Sequence, residues 1–381
     1  MSLEALVNAR VLLDGGLTQG HAVLVEGERI AAVVEEGDPR VRGARRHDLE
    51  GALLLPGFVD CQVNGGGGVL FNDEPSVETI EAIGRAHRRF GTTAFLPTLI
   101  SDDLSVIKRA IAAVREAIER RVPGVIGVHI EGPFISAARK GAHDAAKFRD
   151  LDARGVQLLS SLKAGRTLVT LAPEMATAET IRALADSGVV ISAGHTNATF
   201  EETLEAFRGG VSGVTHLFNA MSPMTNREPG TVGAALHHPD CWCGLIVDGR
   251  HVHPAVLRIA LHAKSPDRFM LVTDAMPSVG SDRDHFMLQG RRITVKDGVC
   301  VDENGTLSGS AIDMASAVRN AIDLLGVPLE TAVRMASAHP ARFLRLDHEL
   351  GRIAPGLRAS FVVADDDLHV RATWIDGRPA A

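Results

Sequence analysis

A chain of 381 residues, 45% of them hydrophobic, can bury one large core and a smaller accessory unit, so it needs no disulfide staples. The formal net charge of -7 argues against an extended nucleic-acid surface, and the absence of tyrosine with only 4% aromatic residues leaves little for base-stacking platforms or an aromatic carbohydrate cleft. The expected partner is a small, mainly polar substrate, with an anionic one still open.

The chain opens with β-like runs at 5–12, 22–26 and 29–34, separated by turns such as Asp14-Gly15-Gly16. These strands cannot supply a complete core alone. From about residue 55 the texture changes. The runs LLLPGFVDCQV, TTAFLPTL, VIGVHIEG, RTLVTLAP, VVISAGH, GVTHLF, CGLIVDG and FMLVTDA are interleaved with helical patterns such as LSVIKRAIAAVREAIER and FEETLEAFRGG. Eight parallel strands in this alternation predict a TIM (β/α)8 barrel. CQVNGGGGVLF matches neither a dinucleotide fingerprint nor a phosphate loop, and QGRRITVKDGVCVDENGTLSGS reads as a β excursion near the last barrel strand. After residue 346, ASFVVADD and VRATWIDGRP repeat the opening texture. The expectation is therefore a small β-sandwich built from 1–54 and 346–381 around a catalytic barrel at 55–345.

The four cysteines, Cys61, Cys241, Cys243 and Cys300, lack a repeated metal spacing and read as structural thiols. No apolar stretch reaches the roughly 18 residues that suggest membrane crossing, and no apolar segment follows a basic start, so a cytoplasmic location without a membrane partner is expected.

Three potential metal ligands lie at the ends of separate strand-like runs: Glu131 in VIGVHIEGP, His195 in VVISAGHT and His216 in GVTHLF. In a barrel such ends converge on one mouth. A lone histidine in an apolar run is usually a hydrogen-bonded core residue, but Glu131 immediately precedes Gly132-Pro133, where a buried unpaired carboxylate would be costly. Two imidazoles and one carboxylate suit Zn2+, with Fe2+, Co2+ or Mn2+ as alternatives, and leave a position open for water. FMLVTDA carries Asp274 to the same rim, and an acid beside such a site is equipped to activate water.

The motifs PGFVD, HIEGPF, GAH, SAGHT, THLFNAM, REPG, DGRHVHP, LVTDA, TLSGSAIDM and HPARFL, in this order along nearly the whole chain, resemble those of the N-acetylglucosamine-6-phosphate deacetylase family of the amidohydrolase superfamily. The resemblance implies a distorted barrel and a homo-oligomer, a dimer or a tetramer. It implies hydrolysis of N-acetylglucosamine 6-phosphate to acetate and glucosamine 6-phosphate, in amino-sugar metabolism. Many amidohydrolases carry His-x-His after the first barrel strand. This chain has Gln62-Val63-Asn64, so the one-metal form is implied and a second metal is not expected.

The resemblance gives Asp274 the acid/base role and His143 that of orienting or polarising the substrate carbonyl. It assigns Ala142, His143, Asn219, the Ala220 backbone, Arg227, His251, Leu307, Ser308 and Gly309 to substrate contact. Arg227 would bind phosphate in bidentate fashion, its plain alternative being an ion pair with Glu228. N-acetylgalactosamine 6-phosphate is the nearest alternative substrate. A related amidohydrolase and a non-catalytic sugar-phosphate-binding protein are the rival functions.

Overall fold

The computed structural model describes residues 3–380, and both chain ends enter one small β domain. Leu3–Val7, His21–Glu26, Arg29–Glu35 and Arg45–Asp48 form a four-stranded sheet. A six-stranded sheet combines Arg10–Leu13, Gly16–Thr18 and Leu53–Pro56 with Phe361–Ala364, Val370–Ile375 and Arg378–Ala380. Leu6, Val11, Val25 and Leu54 from the chain's start share a buried cluster with Phe361, Val363 and Trp374 from its end. Each end supplies apolar surface that the other covers.

Eight strands form the barrel in sequential order: Phe58–Val63, Thr92–Ile100, Gly127–Glu131, Arg166–Leu171, Val190–Ala193, Gly213–Val214, Trp242–Leu245 and Phe269–Leu271. All seven ladders between neighbours are parallel. The returning helices follow from their patterns. In Leu104–Glu119, Ile107, Ala110, Ile111, Val114 and Ala117 are buried at helical spacing, giving one inward face. Phe200–Gly209 starts from a reciprocal Thr199–Glu202 capping box and ends at Gly210 with φ +118°.

The run LLLPGFVDCQV, read from sequence as one barrel strand, is divided. Leu53–Pro56 belongs to the six-stranded sheet and Phe58–Val63 to the barrel. Gly57 is the crossover, where an added Cβ would sit 2.1 Å from Thr93 Oγ1, so no larger residue lets the strand turn there.

The barrel is nearly closed. Between the last strand and the first there is no regular ladder, only a single bridge from Val63 to Ala275. Side chains take over: Thr273 Oγ1 donates to Asp60 Oδ2 at 2.6 Å, and the N–H groups of Asn64 and Gly65 both reach Ala275 O at 2.9 Å. Burial pushes the Asp60 carboxyl up to about 7.

Gly65–Gly66 pairs with Val69–Leu70 in a tight hairpin, so the glycine run is a structural turn. The excursion forms a separate antiparallel sheet of His285–Leu288, Arg291–Lys296, Val299–Val301 and Leu307–Ser310. All four cysteines are buried and free, as structural thiols should be. No helix among the described residues is long and apolar enough to cross a membrane.

Candidate metal centre and catalytic pocket

Glu131 ends the third barrel strand, while His195 and His216 stand just past the ends of the fifth and sixth. Both histidines take positive φ, +50° and +36°, as does Asp274 at +51° beyond the eighth strand. A left-handed residue is sterically costly for these side chains. Phe218 and Ala220 add two more, so five of the thirteen positive-φ residues other than glycine among the described residues gather around this rim. Residues that leave the strand direction in this way bring side chains from different strands to one point.

The three donor atoms form a nearly equilateral triangle. Glu131 Oε1 lies 3.1 Å from His216 Nε2 and 3.3 Å from His195 Nε2, and the two nitrogens are 3.2 Å apart. All three residues are buried, and no other trio of His, Cys, Asp or Glu donors comes so close among the described residues. His195 Nδ1 donates to Arg139 O at 2.9 Å, so its Nε2 presents a lone pair to the triangle. Three electron-rich atoms facing one another need a cation. Ligands on one ion at bonds of about 2.0–2.2 Å in tetrahedral array would stand roughly 3.3–3.6 Å apart, so the triangle is close to the size a single divalent ion requires. The chain thus carries one divalent-metal-binding triad.

Asp274 is joined to this triad through the amide of Gln62. Gln62 Nε2 lies 3.1 and 3.2 Å from the two Glu131 oxygens and 3.0 Å from Asp274 Oδ1, which also accepts from Asn64 Nδ2 at 2.6 Å. Burial, and then the negative charge of Glu131, push Asp274 up to about 6. A divalent cation at the triad would act in the opposite direction. In the sequence Gln62 and Asn64 register only as missing imidazoles. Their spacing of two along a strand held the missed signal, since alternate residues share the barrel interior.

His143 approaches from the loop after the third strand, its ring centroid 4.3 Å from that of His195. Ser101 donates to His143 Nδ1 from both N–H, at 3.3 Å, and Oγ, at 2.7 Å. Nδ1 is therefore the acceptor, and Nε2 carries the hydrogen. Burial first, then the neighbouring His195, hold the ring well below the usual histidine range, so it is a neutral donor. By contrast His129, two residues before Glu131, is a core histidine. Its ring lies 3.3 Å from Thr98 Oγ1 and 2.8 Å from Thr170 Oγ1, and burial lowers it to about 4.

A cavity of about 560 Å3 connects these groups. It is lined by Glu131, His195, His216, Asp274, His143, Ala142, Asn219, Ala220, His251, Leu307 and Gly309 from the predicted set. Ser308 and Arg227 are not among its lining residues. Ser308 is fully buried, and Arg227 is exposed on the turn after Met224. The alternative pairing of Arg227 with Glu228 is not formed, because Glu228 Oε1 instead accepts from the N–H groups of Phe200 and Gly230 at 2.9 and 2.8 Å. His251 is fixed by Asp248, whose Oδ2 lies 2.6 Å from His251 Nδ1. His253 caps the helix Pro254–Ala263 and is structural.

The comparisons with known proteins agree with this geometry. The sequence model of the Amidohydrolase family matches residues 53–380. The chain is 45% identical over 371 residues, 97% of its length and 94% of the relative's, to an N-acetylgalactosamine-6-phosphate deacetylase of Shewanella sp. (strain ANA-3). It is 35% identical over 377 residues, 98% of each chain, to an N-acetylglucosamine-6-phosphate deacetylase of Haemophilus influenzae. The crystal structure of the N-acetylglucosamine-6-phosphate deacetylase from Pasteurella multocida superposes over the whole of both chains with a TM-score of 0.95 at 36% identity. A metal triad at the mouth of a nearly closed barrel, a full-length family match and relatives of this identity place the chain in the amidohydrolase family, close to the N-acetylhexosamine-6-phosphate deacetylases.

Proposed function

We propose that this enzyme deacetylates N-acetylgalactosamine 6-phosphate, releasing acetate and galactosamine 6-phosphate. The epimer order expected from the sequence is thereby reversed: 45% identity to a galactosamine-type relative against 35% to a glucosamine-type one is the observation that carries the choice. The glucosamine epimer becomes the second substrate to test.

Glu131, His195 and His216 would hold the metal, for which Zn2+ is our reading, one per subunit. When bound, the ion supplies Lewis acidity toward the acetamide carbonyl and an acidified water. The chain's own groups do the rest. His143 Nε2–H donates to the carbonyl oxygen as negative charge develops there. Asp274 takes a proton from the attacking water and delivers it to the departing nitrogen, while Gln62 and Asn64 hold its carboxylate toward the triad.

The phosphate reading rests on the cavity wall formed by Asn219, Ala220 and His251. While the N–H groups of Leu217 and Asn219 are taken by Gly244 O and His216 O at 2.8 and 2.9 Å, the Ala220 N–H has no acceptor among the described residues and can meet an anionic oxygen. His251, braced by Asp248, adds an imidazole there. Arg227 sits on a turn tied by Thr225 N–H to Glu228 O at 2.8 Å and by the Glu228 bonds, so folding inward would break these. We therefore assign its phosphate contact to a neighbouring copy in a homodimer or homotetramer.

The test is release of acetate and free amine from both N-acetylhexosamine 6-phosphates and their unphosphorylated sugars, using metal-depleted protein with and without restored zinc. Zinc-dependent release with the highest kcat/KM on the galactosamine epimer is expected. A higher value on the glucosamine epimer overturns the epimer choice, and equal turnover of the unphosphorylated sugars overturns the phosphate reading.

A further inference from the structure

The excursion contributes Leu288, Thr306, Leu307 and Gly309 to the cavity wall, while Gln289 and Arg291 reach away from the cavity wall to the loop that carries His143. Its first hairpin turns on Gln289-Gly290, with Leu288 paired to Arg291. Both turn residues have positive φ, +48° and +80°, the pattern of a two-residue type I′ turn. Glycine, asparagine or aspartate suits the first of these positions, whereas glutamine is strained there without improving the turn. Its additional methylene gives reach. Gln289 Nε2 donates to Ser101 O at 2.6 Å, and Gln289 Oε1 accepts from Asp144 N–H at 2.8 Å. One amide thus ties the residue that supplies both donors to His143 Nδ1 to the residue that follows His143 in the chain. The amide orientation is fixed by its partners, a carbonyl on one side and an N–H on the other. Next to the turn, Arg291 donates to Ala142 O on the other side of His143.

We infer that Gln289, acting through Ser101, is a positioning residue for His143: the excursion sheet holds the carbonyl-polarising ring in place and keeps its hydrogen on Nε2. The inference rests on the proposed role of His143. None of these bonds involves Glu131, His195 or His216, so Gln289 can be changed without touching the metal ligands.

Gln289→Asn separates turn from reach. Asparagine suits the left-handed position, so the thermal midpoint should hold or rise, but its amide is one methylene short of both partners. With zinc-loaded protein and the better of the two N-acetylhexosamine 6-phosphates, kcat should fall between roughly tenfold and a hundredfold with KM changed less than about threefold. Metal content should stay at wild-type level. Ser101→Ala should do the same, and 15N spectra of histidine-labelled protein should show the His143 hydrogen redistributed toward Nδ1. In a His143→Ala background Gln289→Asn should have no further effect on kcat. If His143→Ala itself leaves kcat unchanged, the role of His143 falls and this inference with it. If His143→Ala lowers kcat while Gln289→Asn and Ser101→Ala do not, only this inference falls. A kcat loss matched by lost metal or a lower thermal midpoint also overturns it, since the effect would then be structural.

Discussion

The two ends of the cavity are built differently. At the metal end the donors come from three strand termini, are buried, and are locked by amides and strained backbone. Where we propose that the phosphate binds, Asn219, Ala220 and His251 stand on loops, and Arg227 is exposed. A sheet terminus fixes a side chain because the strand is held on both sides by ladders, whereas a loop can be re-cut without disturbing the barrel. Under the proposed function, chemistry belongs to the rigid end and the choice among N-acetylhexosamine phosphates to the adaptable one.

This contrast can be broken or sharpened by graded changes. Metal removal should have the largest effect: chelation should take acetate release to background and zinc should restore it, while His195→Ala should lose both metal, measured by elemental analysis, and activity. Normal metal content in that variant would remove His195 from the ligand set. Asp274→Asn should retain metal yet lose about 10²–10⁴ in kcat, and turnover within a few-fold of wild type would rule out its acid/base role. Gln62→Leu should be milder, about 10- to 100-fold in kcat or in metal affinity, because it removes an amide shared by Glu131 and Asp274 rather than either acid. At the other end Arg227→Ala should leave kcat within about twofold and raise KM roughly tenfold for phosphorylated substrate only, as loss of one charge-assisted contact implies. Equal losses on the unphosphorylated sugar would detach it from the phosphate. The smallest change lies outside both ends. Arg358 meets Asp376 through Nε at 2.7 Å and Nη2 at 2.5 Å inside the terminal β domain, and Arg358→Ala should cost about 1 kcal/mol, seen in denaturant unfolding, with kcat unaffected.

How much of the site could be read beforehand differs in the same way. Glu131, His195, His216 and Asp274 were legible because each closes a strand-like run, and alternation of strands and helices implies that such ends meet. Gln62, Asn64, Ser101 and Gln289 were not. Their side chains are ordinary amides and a hydroxyl, and nothing in their neighbourhood along the chain signals a partner 42 to 212 residues away. The split of LLLPGFVDCQV at Gly57 was hidden for a related reason. Both halves are apolar strand, and only the approach of Thr93 marks the turn between them. The exposed Arg227 shows the converse: a motif can assign a residue to a pocket that its own chain does not bring it into.

By itself, then, the sequence determined the layer architecture and the chemical type of the centre. Hydrophobic periodicity is a local property, and a carboxylate with two imidazoles at strand ends limits what can bind there. Only the tertiary structure decided that the barrel closes through Asp60 and Thr273 instead of a ladder, that the Gln62 amide joins Asp274 to Glu131 while Asn64 holds Asp274, and that a hairpin turn braces the loop of His143. Those are side-chain contacts to groups distant in sequence, and their existence depends on distances that no local pattern encodes.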